Sequence, residues 1–180
     1  ARVVAQVSAI KVGDALDPAS QMGPLNSVAH YQRVLTFIES ARQDGAKLLT
    51  GGERPAGEAF RRGYWLRPTV YGDVTMSMRV AREEIFGPIL SILKWKTQEE
   101  AIAMANATEY GLGSGVWTHD LKVAMTSARA LQSGFVWINT TARHFVGTPF
   151  GGWKNSGLGR EECLEELLSY THTKAIHVFT

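Results

Sequence analysis

Cysteine is almost missing from this sequence: Cys163 stands alone among 180 residues. No disulfide can form within the chain, which fits a reducing compartment such as the cytoplasm. Strong charge of either sign is also lacking. A formal net charge of +2 is too small to mark a nucleic-acid or membrane-surface partner, and no basic run is interleaved with aromatics. No apolar stretch approaches the roughly 20 residues of a membrane span, and no signal-peptide pattern opens the sequence. Repeats and low-complexity segments are missing too. What remains has an ordinary soluble composition, 44% hydrophobic and 20% charged. A length of 180 residues suits one domain.

Patterning then gives the elements. Ala1–Ile10 starts abruptly in a helical pattern with no cap before it, which suggests a chain that has been cut or given in part. Lys11–Asn26 is a loop rich in Gly, Pro and Asp. Ser27 caps a helix that ends near Gly45. Lys47-Leu48-Leu49 is a short strand ended by Gly51-Gly52, and Glu53–Gly63 is a polar insertion. Tyr64–Tyr71 reads as an edge or irregular strand, because Pro68 interrupts it. Ile89–Trp95 is a strand, Thr97 and Glu100 form a capping box for a helix over Gln98–Asn106, and Leu112–Trp117 is a strand. Leu121–Leu131 is a helix and Phe135–Asn139 a buried strand. The alternation predicts an α/β fold, a mostly parallel sheet with helices on both faces. Thr140–Gly159 is a long irregular loop, of the kind that carries function. Glu161–Ser169 reads as a helix and Lys174–Phe179 as a closing strand.

Two stretches carry chemistry. In Glu83-Glu84-Ile85-Phe86-Gly87-Pro88 a carboxylate stands two positions before a ring, at the entrance of a strand, with a Gly-Pro step fixing the direction. A carboxylate accepts two hydroxyl hydrogen bonds and a ring offers a flat apolar face, so together they suit a ribose and its planar base. On these residues alone, a surface acid beside a core phenylalanine at a turn is the reading to prefer. The second stretch is Pro149-Phe150-Gly151-Gly152-Trp153-Lys154-Asn155-Ser156-Gly157-Leu158-Gly159-Arg160-Glu161, whose glycines suit neither helix nor strand but a loop lying close against other backbone. Cys163, among Leu164, Leu167 and Leu168, reads as a structural thiol or one at a partner contact, not a nucleophile.

With Lys11-Val12-Gly13-Asp14 and Gln21-Met22-Gly23-Pro24, these stretches resemble, in order, the C-terminal part of NAD(P)-dependent aldehyde dehydrogenases, of the betaine-aldehyde and semialdehyde type. The resemblance implies a partial catalytic domain over 1–150 and a tail over 151–180 whose terminal strand joins subunits into a dimer or tetramer. It implies an aldehyde substrate, NAD or NADP as cofactor, and attack by a cysteine thiolate followed by hydrolysis of a thioester. The family's Gly-Gln-x-Cys-like and Glu-Leu-Gly-Gly-like segments do not occur here, so this polypeptide alone is expected to be inactive. By the same resemblance, Glu84 holds the nicotinamide ribose and Phe86 packs near the nicotinamide. His30 and Arg33 reach a cofactor ribose or are solvated residues on a helix. Phe150 lines the aldehyde pocket and His144 lies at its mouth. Glu161 relays protons towards the catalytic water or is simply a first-turn acid. The backbone near Lys154 and Gly157 corresponds to a potassium site in some relatives. Arg143 and His144 depart from better-known relatives and suggest polar or carboxylate-bearing aldehydes, unless Arg143 points into solvent. Competing expectations are an acyl-phosphate or acyl-coenzyme A reductase of the same fold, and a non-catalytic homologue or assembly module.

Overall fold

The computed structural model describes residues 1–180. The chain forms two compact units, Ala1–Lys94 and Trp95–Thr180, each with its own elements.

In the first unit α1 (Arg2–Ser8) is followed by a loop closed by a bridge between Val12 and Met22, then by α2 (Val28–Gln43). The Ser27 side chain accepts from the His30 amide, the capping contact its position requires. Strands β1 (Lys47–Thr50), β2 (Thr69–Val74) and β3 (Ile89–Leu93) form one sheet in that order, with the short helix α3 (Arg79–Arg82) between β2 and β3. β1 runs antiparallel to β2 and β3 parallel to it. The core is made by Val34, Phe37 and Ala41, one stripe of α2, against Leu66, Tyr71, Val74, Val80 and Ile85. Phe37 is wholly buried, with the guanidinium carbons of Arg79 and Arg33 at 4.0 and 5.0 Å from its ring centre.

The second unit contains α4 (Gln98–Asn106), β4 (Tyr110–Gly111), β5 (Gly113–Val116), α5 (Leu121–Ala130), β6 (Phe135–Ile138), β7 (Trp153–Lys154) and α6 (Leu164–Ser169). β5 and β6 pair in parallel, joined by α5, while β4 and β7 pair antiparallel. Thr97 Oγ1 accepts from the Glu100 amide, and Glu100 answers on the amide of Lys96, one residue earlier than a reciprocal capping box. Asp120 caps α5 by accepting from the amides of Lys122 and Val123. Gln98 donates to the hydroxyls of Thr126 and Ser127 and so ties α4 to α5. No helix is long and apolar enough to cross a membrane.

Five expectations change. The sheet is not a single parallel one: three small sheets form, of three, two and two strands, and only β2–β3 and β5–β6 are parallel. Pro68 does not interrupt a strand but precedes it. β2 starts at Thr69, whose amide is free to bond the Pro88 carbonyl, and is the central strand of its sheet rather than an edge. β6 is half-buried, not buried. The last helix begins at Leu164, with Cys163 half-buried at its N-cap, because the Glu161 backbone is committed to a bridge with Phe150. Lys174–Phe179 forms no strand. Ile176, Val178 and Phe179 are exposed, since the alternation has no partner edge within the chain to complete a ladder.

Candidate active site

Ile85 organises the first cluster. Its side chain is buried against α2, which turns its neighbours Glu84 and Phe86 outward. The Phe86 ring is 75% exposed, so the core phenylalanine that the sequence also allowed is ruled out and Ile85 takes that place. Phe86 also has φ 55°, the left-handed region that a bulky residue enters at a cost of about 1–2 kcal/mol. Such a conformation persists only where its surroundings impose it, and here they do. Arg33 donates from its two terminal nitrogens to the carbonyls of Ile85 (2.5 Å) and Glu84 (2.6 Å), and His30 Nε2 donates to the carbonyl of Phe86 (2.5 Å). His30 Nδ1 lies 2.9 Å from Asn26 Oδ1. Gly87 sits so close to α2 that a Cβ there would lie 2.8 Å from Val34 Cγ2, so glycine is needed at the turn.

The outcome is a rigid segment presenting two unpartnered groups. The Glu84 carboxylate is exposed and makes no bond within the chain. Phe86 borders an open depression of about 520 Å³, whose apolar walls include Met22, Pro24, Leu66 and Pro88. A free carboxylate beside a fixed ring and an apolar floor suits a ligand with vicinal hydroxyls and a planar base. Four residues singled out in the sequence, His30, Arg33, Glu84 and Phe86, therefore meet at one place. His30 and Arg33 arrive there with their nitrogens already bonded to protein carbonyls.

The second cluster lies in the other unit. Phe150 and Glu161 exchange two backbone hydrogen bonds, 3.0 and 2.7 Å, which fix the start of the glycine-rich loop. Arg160 folds the loop back by donating to the carbonyls of Gly152 and Gly159. Phe150 then packs in an aromatic group with His144, Phe135 and Trp137, the His144 and Phe150 ring centres being 4.6 Å apart. His144 Nδ1 pairs with the Glu162 carboxylate at 3.0 Å, and Trp137 donates to the Arg143 carbonyl. The cluster thus joins His144 and Phe150, both singled out in the sequence, with three residues that sequence reasoning missed: Phe135, Trp137 and Glu162. The aromatic alternation of Phe135 and Trp137 on β6 was the available signal.

The remaining candidates are elsewhere. The Glu161 side chain is exposed and bonds nothing in the chain. Arg143 is exposed. Lys154 donates from Nζ to the carbonyls of Asn106 (2.7 Å) and Thr108 (3.0 Å) at the end of α4, and Gly157 has φ 122°. The thiol of Cys163 hydrogen-bonds Glu165, which holds that carboxyl below its usual range.

A family model described as "Aldehyde dehydrogenase family" matches residues 1–176. A betaine aldehyde dehydrogenase of Mesorhizobium japonicum is 46% identical over 179 residues, covering 99% of this chain and 37% of its own length. An aldehyde dehydrogenase of Talaromyces stipitatus, tropH, is 44% identical over 182 residues, covering 99% of this chain and 35% of its own. The crystal structure of a betaine aldehyde dehydrogenase from Staphylococcus aureus in complex with NAD+ superimposes with a TM-score of 0.90 at 34% identity, covering 99% of this chain and 37% of that one. The chain therefore spans little more than a third of the length of the relatives it matches.

Proposed function

Because the chain belongs to the aldehyde dehydrogenase family, we propose that it supplies part of the cofactor and aldehyde sites of an enzyme that oxidises aldehydes to carboxylates with NAD+ or NADP+. The observation that carries this reading is the unpartnered, exposed Glu84 carboxylate two residues before the exposed Phe86 ring, which borders an apolar depression. The nicotinamide cofactor, when bound, supplies the hydride acceptor. Glu84 would accept hydrogen bonds from its ribose hydroxyls, and Phe86 would give its ring an apolar face. Holding the ring at near-attack distance is the protein's contribution to that step.

In the second unit Phe150 would line the aldehyde pocket, and His144, oriented by Glu162, would shape its mouth. Arg143 and His144 together would favour polar or carboxylate-bearing aldehydes, and Glu161 would pass protons towards the catalytic water. The nucleophilic cysteine and general-base glutamate of the family lie in segments that this sequence does not contain. Lys174–Phe179, exposed and alternating, is suited to complete a sheet with another subunit. The protein expressed from its complete gene should reduce NAD+ or NADP+ in the presence of a semialdehyde faster than with a long-chain aliphatic aldehyde. No aldehyde-dependent reduction of either cofactor would overturn the reading.

A further inference from the structure

We propose that Glu162 is a positioning residue that makes His144 a hydrogen-bond acceptor at the mouth of the aldehyde pocket, and that the aldehyde selected there carries a hydroxyl group. This rests on the aldehyde-pocket reading of Phe150 and His144. His144 Nδ1 lies 3.0 and 3.1 Å from the two oxygens of the Glu162 carboxylate. An ionised carboxylate only accepts, so the nitrogen that faces it carries the proton. In the neutral imidazole the other nitrogen, Nε2, is then left bare and can only accept. Nε2 makes no bond within the chain, and 35% of the His144 side chain is exposed, so the lone pair is open to a ligand.

Both members of the pair are held through their backbone. Glu162 has φ 62°, a left-handed conformation that such a residue keeps only where its surroundings impose it. Its amide donates to Glu166 Oε2 at 2.6 Å, and its carbonyl accepts from the Gly147 amide at 2.7 Å. On the other side Trp137 Nε1 donates to the Arg143 carbonyl at 2.7 Å, which fixes the backbone one residue before His144. The imidazole stacks on Phe135, with ring centres 5.9 Å and planes 16° apart, and meets Phe150 and Trp137 edge-on. The Trp137 N–H is taken, and Phe135 and Phe150 carry no polar side-chain atom, so these rings leave Nε2 as their free polar position. A bare nitrogen needs a donor. A carboxylate has no hydrogen to give, so among polar aldehydes His144 selects the one that bears a hydroxyl.

The test uses the protein expressed from its complete gene, at pH about 8.5, above the ordinary imidazole range. The readout is the ratio of kcat/KM for meta-hydroxymethylbenzaldehyde to that for meta-ethylbenzaldehyde, two aldehydes of nearly equal shape that differ in one hydroxyl. The para-substituted pair is measured alongside. The parent should favour the hydroxyl in one of the two positions by roughly 5- to 10-fold, the contribution of one hydrogen bond. Glu162→Met leaves the tautomer of His144 unfixed, and His144→Phe removes Nε2 while keeping a ring. Each should bring the ratio below about 2-fold. Glu162→Gln keeps a carbonyl acceptor for the Nδ1 proton and should restore most of the preference. A role in folding alone would slow both aldehydes alike and leave the ratio where it was. An unchanged ratio in Glu162→Met, or no preference for the hydroxyl at either position in the parent, would overturn the proposal. A second readout needs no substrate: nitrogen NMR of histidine-labelled protein at the same pH should place the His144 proton on Nδ1, and Glu162→Met should lose that placement. A parent proton on Nε2 would overturn the pairing. A proton on Nδ1 in a protein that oxidises no aldehyde would uphold the pairing and refute the aldehyde-pocket reading instead.

Discussion

An alanine at Gly134 would place its methyl group 1.9 Å from the Gly151 carbonyl oxygen and 2.8 Å from the carbonyl carbon. The obstacle is backbone, so no side chain can rotate out of the way, and the two segments must part by at least about 1 Å. The backbone of Gly134 lies in a region open to any residue, so the effect of Gly134→Ala is purely steric. Overpacking of this kind costs about 1–3 kcal/mol, which for a chain of 180 residues unfolding as one lowers the melting midpoint by roughly 2–12 °C. Gly151 adjoins Phe150, and on the aldehyde-pocket role proposed for Phe150 a displacement of about 1 Å should cost on the order of 100-fold in kcat/KM. Thermal unfolding followed by circular dichroism, with aldehyde kinetics on the same preparation, measures both. Gly159→Ala is the control, since a Cβ there meets nothing within 4 Å and should change stability by less than about 0.5 kcal/mol. If Gly134→Ala proved as stable and as active as Gly159→Ala, the close approach of β6 and the glycine-rich loop would be refuted.

Other consequences can be measured in the same way. Phe37→Ala empties a fully buried site and removes the surface on which Arg33 and Arg79 stack, so denaturant unfolding should show a loss of about 3–5 kcal/mol. Thr97→Ala deletes the cap of α4 and should cost about 0.5–2 kcal/mol, whereas Thr97→Asp should retain most of it. Lys94 hydrogen-bonds Asp73 and holds its carboxyl below the usual range. A depressed carboxyl contributes stability above its unfolded pKa and loses it as pH falls through the folded value. The stability difference between the parent and Lys94→Met should therefore shrink in acid, and a difference that grew in acid would contradict the pairing.

The sequence and the structure agree best where structure is local. Ser27 and Thr97 are oxygens placed one residue before apolar periodicity, and each accepts the amide that its position selects. Gly51-Gly52 ends β1 as expected, because both residues adopt positive φ. Partnership between strands was not legible in the same way. Which edge β2 finds depends on β1 and β3, far along the chain, so Pro68 read as an interruption although it only sets the first rung. Lys174–Phe179 alternates like a strand, yet alternation names no partner. For the first cluster, the residue types of Glu84 and Phe86 were readable, and their exposure was not. That depends on Ile85 taking the buried place between them. The engagement of His30 and Arg33 with three carbonyls was beyond sequence reasoning altogether, because a helix residue's partner 51 to 56 positions away leaves no periodic mark.

The free carboxylate of Glu84 is the group on which the proposed cofactor site depends most directly. Glu84→Gln keeps its size and one acceptor but removes the charge that would bind ribose hydroxyls. Hydrogen bonds to charged groups contribute about 1.5–3 kcal/mol, so single-turnover hydride transfer in the protein expressed from its complete gene should fall roughly 10- to 100-fold, with aldehyde affinity changed less than about 2-fold. A single-turnover rate equal to that of the parent would contradict the assignment of Glu84 and Phe86 to the cofactor.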